Sequence, residues 1–412
     1  MSLSTHQGTG VPHSDADPFA LDVLADPLAM HGELRDAGPV VYLDRYDVHA
    51  MARYEQVHAS LRDWQRFESS SGVGFPNFRH EKPWWTPSIL LEADPPRHDA
   101  PYRVLKDVLS PRSLRRLRDR WSADGHQIVD ELLTGASGGT VDLDAVPSLA
   151  EAFPLRVFPD EVGIPREGRE NLLPYGDHQF NALGPPGEIR DRHAARAEEL
   201  LAWVMAQTAR EVLTDDGFGA MVWAAADRGE ILPEHAPMLV RALLSAGLDT
   251  TISGIAAILY AFATHPDQWR RLREDPALIR VAFDEAVRWE SPVQTFFRVA
   301  TSDVRIEGAL VPEGHKILMF LGSANRDPRR WSTPEHPDPD AFDITREPSG
   351  HVGFGMGVHQ CVGQHVARLE AESLITALLP RVERLELVAT PRRHLNNTLR
   401  MWESLPIRLH LA

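Results

Sequence analysis

The run from residue 237 to 264, PMLVRALLSAGLDTTISGIAAILYAFAT, carries only two charges, Arg241 and Asp249. A helix this apolar on every face is stable only if the rest of the chain surrounds it. At 1.5 Å per residue it would span roughly 40 Å, about the width of a domain, so the fold must be organised around it. Arg241 and Asp249 leave no uninterrupted stretch of the roughly 18–20 apolar residues that a membrane span needs. Pro237 suits a first turn, where its missing N–H costs nothing. Two features inside the run are unfavourable. Gly247 costs about 1 kcal/mol relative to alanine in a helix interior, and Asp249 places a carboxylate where burial is expected. Thr250, Thr251 and Ser253 can also bond back to carbonyls and bend the ladder. Either these are polar residues of a core helix that face a neighbour, or the helix is deformed beside a ligand, with an acid and a hydroxyl side by side.

From about 103 to 280 the pattern is mostly helical, as in LRRLRDRWSADGHQIVDELL, where apolar residues recur at three and four. Residues 39–55 alternate like a small sheet, and strand-like runs return at 303–311, 315–321 and 397–410. No repeat or low-complexity tract divides the chain. The expected class is therefore mainly α with minor β: one large helical domain over 19–412, after a disordered lead-in over 1–18. That lead-in has no basic-then-apolar signal, which points to a cytoplasmic protein. A net charge of -16 leaves nothing to offset repulsion from phosphates, so nucleic acid is excluded as a partner. One cysteine in 412 residues excludes an intramolecular disulfide, a Cys-rich zinc site and a Cys-ligated iron–sulfur cluster.

The one thiol, Cys361, sits in HVGFGMGVHQCVGQHVARLEAESLITALL, between a glycine-rich approach (Gly353, Gly355, Gly357) and a helical run from Val362 onward. Such an approach lets backbone fold closely around something flat and bulky. The positive end of the helix favours thiolate over thiol. Three readings compete. A lone cysteine is most often an inert small hydrophobe. A nucleophile would want a His and an Asn or Asp base system, of which only His359 is near in sequence. A metal ligand would be one anionic sulfur binding haem iron from its proximal side. A phosphate loop is excluded, because neither G-x-x-x-x-G-K-[ST] nor G-x-G-x-x-G is present.

FGMGVHQCVG, Phe354 to Gly363, resembles the haem-binding signature F-G-x-G-x-H-x-C-x-G of the cytochrome P450 monooxygenases at every specified position. Glu285-Ala-Val-Arg288 matches that family's E-x-x-R helix, with Ser291-Pro292 as the following turn. ANRDPRRW…PDAFDITR, Ala324 to Arg346, looks like the irregular segment that supplies a third charge, Arg346. Ala246-Gly247-Leu248-Asp249-Thr250 fits the A-G-x-D-T of its oxygen-activating helix. The match covers roughly residues 20–410.

The resemblance implies the P450 fold around a haem b (iron protoporphyrin IX), with Cys361 as thiolate axial ligand. Phe354, Gly355, Gly363, Ala246 and Gly247 would contact the cofactor, and His98, Arg298 and His359 would hold its propionates. The segment ADPPRHDAPYR departs from the family pattern. Four residues after His98 stands Tyr102 in place of the usual Arg, so either Tyr102 donates its hydroxyl or Arg103, one position late, substitutes. Asp249 and Thr250 would be the acid–alcohol pair that brings protons for dioxygen activation. Glu285, Arg288 and Arg346 would be a structural triad, costly to break at one member.

Within the family, LVRALLSAGLDTT, ILLEADPP, SPVQTFFR and LNNTLRMWESLPIRL are most similar to soluble bacterial enzymes that oxidise small para-substituted aromatic acids. On that likeness the substrate pocket draws on Trp85, Ser88, Leu91, Phe180, Leu183, Arg241, Ala242, Ser245, Val293 and Phe296. These suit a flat ring, and any one of them could instead be ordinary core packing. Trp84-Trp85 stands where a carboxylate-binding cation would be sought, which leaves Arg241 as the anion partner. The implied reaction inserts one atom of O2 by hydroxylation or oxidative O-demethylation. A [2Fe-2S]-type ferredoxin and its NAD(P)H-dependent reductase would supply electrons to a monomer that carries no flavin signature of its own. Alternatives are a haem-thiolate binder or sensor, which needs no Asp249-Thr250 pair, and peroxide-driven oxidation, which usually replaces that pair. The basic stretch RVLKDVLSPRSLRRLRDR, Arg103 to Arg120, is the expected docking face for an acidic ferredoxin.

Overall fold

The computed structural model describes residues 3–5, 10–83, 85–136 and 138–412, so Trp84 and lead-in residues 1, 2 and 6–9 lie outside the described residues. The apolar run forms two consecutive helices, His235–Ala246 and Asp249–Thr264, rather than one. Together they are long and apolar enough to cross a membrane, but they are mostly buried inside the protein. The break falls at Gly247 and Leu248, beside the residues whose chemistry disfavours a straight ladder. Thr250 Oγ1 donates to Ala246 O at 2.7 Å and Ser253 Oγ to Asp249 O at 2.6 Å, so hydroxyls engage the local carbonyls. The second helix packs against Ile279–Glu290 and Gln364–Leu378, and the latter is crossed by Arg118–Leu133. Trp121, Phe153, Phe158, Phe262, Trp269 and Phe283 fill the resulting core.

The sheets sit at the margins. The largest runs Leu3–Thr5, Pro12–Ser14, Val41–Leu43, Val48–Met51, Lys316–Phe320, Thr295–Ala300, Phe67–Glu68 in spatial order. Lys316–Phe320 pairs parallel with Val48–Met51 and antiparallel with Thr295–Ala300. Val382–Leu387, Pro406–Leu411 and Thr140–Asp144 form a second sheet, and two hairpins complete the set. Thr140–Asp144 falls in the stretch that reads as helical. Its partner, Pro406–Leu411, is far away in sequence, so no local pattern announces the pairing. The lead-in expected to be disordered through residue 18 contains the strand Pro12–Ser14, ordered because Val11 and Ser14 are buried and the strand pairs with Val41–Leu43.

Glu285 and Arg288 are fully buried on Ile279–Glu290 and meet in two hydrogen bonds, 2.7 and 2.8 Å. Arg346 Nε donates to Glu285 Oε1 at 3.2 Å. Arg288 also donates to the carbonyls of Asn325, Pro339 and Ala341, so one guanidinium pins the irregular segment to the helix. The helix ends at Ser291, whose φ of 48° turns the chain into Pro292.

Where Arg118–Leu133 crosses Gln364–Leu378, a methyl placed on Gly125 would lie 2.9 Å from Ser373 O. Backbone cannot yield there without moving a helix. Gly125→Ala is expected to destabilise the fold by about 1–3 kcal/mol, read as a lower urea midpoint. An unchanged midpoint would show that the crossing is looser than this contact implies.

Candidate active site

Between the broken helix and the Cys361 loop lies a cavity of about 380 Å³. Ala246, Gly247 and Thr250 line it from the helices, and Phe354, Gly355, Cys361, Val362 and Gly363 from the loop. The loop closes through Cys361 N–H, which donates to Phe354 O at 2.8 Å. Gly355 and Gly357 take φ of 64° and 71°, a region other residues rarely enter, and a methyl on Gly357 would lie 2.7 Å from Leu61 O. The helix proper starts at Gln364, and the N–H groups of Gly363 and Gln364 face the sulfur. Burial nevertheless pushes the Cys361 thiol up, outweighing those donors and Arg368. The helix terminus alone therefore does not offset burial; a coordinated cation would favour the thiolate.

His98, Arg298 and His359 all line the same cavity. Arg298 is 3% exposed, and burial lowers its pKa to about 10, against the single opposing charge of Asp94. Its one hydrogen bond among the described residues goes to Phe297 O. A guanidinium buried with so few partners calls for an anion. His359 Nε2 lies 3.3 Å from Asp94 Oδ1, and the His98 and His359 rings are 4.6 Å apart. Tyr102 also lines the cavity, and its hydroxyl donates to Gln360 O at 2.8 Å, bracing the cysteine loop. Arg103 is exposed to solvent, so of the two alternatives Tyr102 is the one in the site. One sulfur ligand, with a guanidinium and imidazoles at the rim, fits a flat macrocycle that carries an iron and two carboxylates.

All ten residues expected of a substrate pocket line this cavity: Trp85, Ser88, Leu91, Phe180, Leu183, Arg241, Ala242, Ser245, Val293 and Phe296. Arg241 Nε donates to Tyr175 Oη at 2.9 Å and Nη2 to Gln179 Oε1 at 3.4 Å, which fixes the guanidinium's direction. Ser88 Oγ accepts the N–H groups of Leu90 and Leu91. Sequence reasoning did not single out Glu92, also a lining residue. It accepts from Trp85 Nε1 at 3.0 Å and Ser88 N at 2.9 Å, and burial raises its pKa. An acid two residues before Asp94-Pro95-Pro96 was the only available signal.

Asp249 and Thr250 part company. Thr250 faces the cavity, whereas Asp249 is 2% exposed, its Oδ2 makes no hydrogen bond among the described residues, and it does not line the cavity. Its carboxyl seats over Gly176 of the Leu172–Asn181 helix, where a methyl would overlap Oδ2 at 1.7 Å. Burial raises the Asp249 pKa well above the usual range, and the charges of Asp177 and Glu151 add to this, both favouring the protonated acid. Its neighbour Asp177 is the reverse case. Burial works to raise it too, but hydrogen bonds from His394 and Asn396 and the charge of Arg192 outweigh burial and hold it well below the carboxylate range. Neither Gly176 nor Asp177 carries any local sequence signal.

The family model for cytochrome P450 matches residues 213–404. The chain is 56% identical over 409 residues to cytochrome P450 CYP199A2 of Rhodopseudomonas palustris (strain ATCC BAA-98 / CGA009), covering 99% of this chain and 97% of that one. It is 29% identical to the cytochrome P450 monooxygenase PikC of Streptomyces venezuelae, covering 98% and 96% of the two chains. Among solved structures, cytochrome P450 CYP109Q5 from Chondromyces apiculatus matches with a TM-score of 0.78 at 29% identity, over 96% and 98% of the two chains.

The Asp177 pairing yields a pH-dependent stability. Its folded pKa is depressed, so its stabilisation is complete above the unfolded value of about 4 and fades as pH falls below it. Asp177→Asn is expected to be less stable than the parent by about 2–3 kcal/mol at neutral pH. The gap should narrow as pH drops below about 4. Urea unfolding across this range checks it; a gap independent of pH would contradict the assignment.

Proposed function

The chain belongs to the cytochrome P450 family and is a haem b monooxygenase, and on that premise we propose that it oxidises a small aromatic carboxylic acid. The observation that carries this reading is Arg241, a guanidinium directed by Tyr175 and Gln179 at the edge of an otherwise apolar cavity. Its Nη1 remains uncommitted among the described residues, as a carboxylate requires. Ser88 and Ser245 add hydroxyls, while Phe180, Leu183, Val293 and Phe296 offer the surface for a ring.

In this mechanism Cys361 would hold the haem iron through its sulfur, with the N–H groups of Gly363 and Gln364 steadying Sγ. Arg298, His98 and His359 take the propionates, and Tyr102 keeps the loop in place through Gln360 O. Haem b, once bound, supplies the reductive activation of O2 and the transfer of one oxygen atom to the substrate, as hydroxylation or O-demethylation. Thr250 holds a proton at Oγ1, now shared with Ala246 O, where the cavity can take it. Asp249 holds the next one as a neutral acid behind it. The Glu285, Arg288 and Arg346 cluster keeps the segment leading to the Cys361 loop in register. The proposed setting is the cytoplasm.

Electrons are proposed to arrive from a [2Fe-2S]-type ferredoxin served by a reductase. The structure changes which cations of the basic stretch are available. Arg116 and Arg120 both engage Glu161, and Arg118 engages Glu372, leaving Arg103, Lys106, Arg112 and Arg115 exposed.

Three outcomes test these roles. Difference-spectrum titration should show para-substituted benzoic acids binding about tenfold or more tightly than their neutral amides, with Arg241→Gln erasing the preference. Equal affinities in the parent protein would refute an acid substrate. Thr250→Ala should bind substrate as before yet divert most reducing equivalents to hydrogen peroxide; undiminished product per NAD(P)H would remove Thr250 from proton delivery. Arg115→Glu should slow reduction by ferredoxin severalfold at low salt and less at high salt. A rate unchanged at low ionic strength would place docking elsewhere.

A further inference from the structure

Asp249 is shut away from water, and an acid that gives up a proton in each cycle has to be recharged. The Leu172–Asn181 helix covers it at Gly176, and the next residue, Asp177, is the centre of a cluster that does reach the surface. Asp177 Oδ2 accepts from His193 Nε2 at 2.9 Å and Arg192 Nη1 at 3.2 Å. Its Oδ1 accepts from His394 Nε2 and Asn396 Nδ2, both at 2.8 Å, and Arg192 Nη1 stands 2.9 Å from that same His394 nitrogen. The His193 and His394 side chains are 23% and 30% exposed, whereas that of Asp177 is 8% exposed. His178 lies near His193 and Asp177, and Glu151 near His394. The charges acting on Asp249 are Asp177 and Glu151, both acidic, with no cation among them. Within this cluster only an imidazole readily takes a proton from neutral water and gives it up again; the guanidinium of Arg192 does not.

We propose that His193 and His394 recharge Asp249 from solvent, with Asp177 as the positioning residue that holds both imidazoles and passes the proton inward. The proposal rests on the reading of Asp249 as a proton donor. In the step, an imidazolium Nε2–H bond breaks and its proton moves along the hydrogen bond to Asp177 and on to the Asp249 carboxylate. There a new O–H bond forms, so one positive and one negative charge disappear together. The neutral imidazole then takes a proton from water. No oxidant or reductant is involved.

The test follows the Asp249 proton directly, without turnover, in the substrate-free holoenzyme. A neutral Asp249 gives a carboxylic C=O infrared band, assigned by its loss in Asp249→Asn, and that band shifts as O–H becomes O–D in heavy water. Glutamines at 193 and 394 can still donate a hydrogen bond to Asp177 but cannot carry a proton. The double variant His193→Gln/His394→Gln should therefore slow the shift at least tenfold. Amide exchange in the Leu172–Asn181 helix should stay as in the parent, separating proton transfer from opening of the helix. Glu370 is an internal control: it is buried, both its carboxyl oxygens lack partners, and burial raises its pKa, so its band should exchange at one rate in both proteins. Equal rates for Asp249 in parent and variant, equal slowing at Glu370, or no Asp249 band at all would overturn the proposal. Full product coupling in Asp249→Asn would instead overturn the reading of Asp249 as a donor, whatever the exchange rates.

Discussion

The site exists because one buried helix fails to continue. Gly247 N–H still reaches Leu243 O at 3.0 Å, and Ile252 N–H reaches Leu248 O at 2.8 Å, so the ladder is regular on either side of a short defect. At the defect the Ala246 carbonyl is satisfied by the Thr250 hydroxyl instead of by backbone. That carbonyl lies at the cavity wall, where Ala246 and Thr250 both line the open space. The residue that repairs the hydrogen bonding is thus the one whose hydroxyl faces the cavity. Structural repair and chemical function fall on a single side chain, so alanine there removes the carbonyl's hydroxyl partner together with the proton donor.

The second constraint is the treatment of buried charge. Glu290 is fully buried yet held at about 2, because Arg393, Arg400 and Arg326 surround it and outweigh the burial that would raise it. Glu285 is paired with both Arg288 and Arg346. Lys316 donates to the carbonyls of Gly72 and Gly74, and burial lowers its pKa to about 7. Asp249 is given no such company. Across one glycine, the chain surrounds Asp177 with donors that lower its pKa and leaves Asp249 Oδ2 without one among the described residues, where burial raises its pKa. Opposite protonation states in adjacent acids are what a proton-delivering site needs, and here they come from partner supply rather than from depth.

Much of this was legible in the sequence where local chemistry constrains local shape. The glycines before Cys361, the paired Glu285 and Arg288, and the awkward residues at Gly247–Thr250 each announced a specific backbone requirement. The strand Thr140–Asp144 was not legible, because a five-residue strand depends on a partner some 260 residues later. Gly176 was silent for a similar reason: it is required by an acid far along the chain, not by its own φ and ψ. In the basic stretch, the pairing of both Arg116 and Arg120 with the single carboxylate of Glu161 is a tertiary fact that charge counting along the sequence overlooks.

On the proposed reading, electrons and protons enter through separate sets of elements. The exposed cations Arg112 and Arg115 precede Arg118–Leu133, which packs on Gln364–Leu378, the helix that starts beside Cys361. The Asp177 cluster instead belongs to Leu172–Asn181, which packs on His235–Ala246 and Asp249–Thr264. No residue is shared between these two routes. A donor that docks on the first therefore need not cover the imidazoles of the second, and proton uptake can proceed while the reduced partner is still bound. That separation follows directly from how four helices pack around a broken fifth.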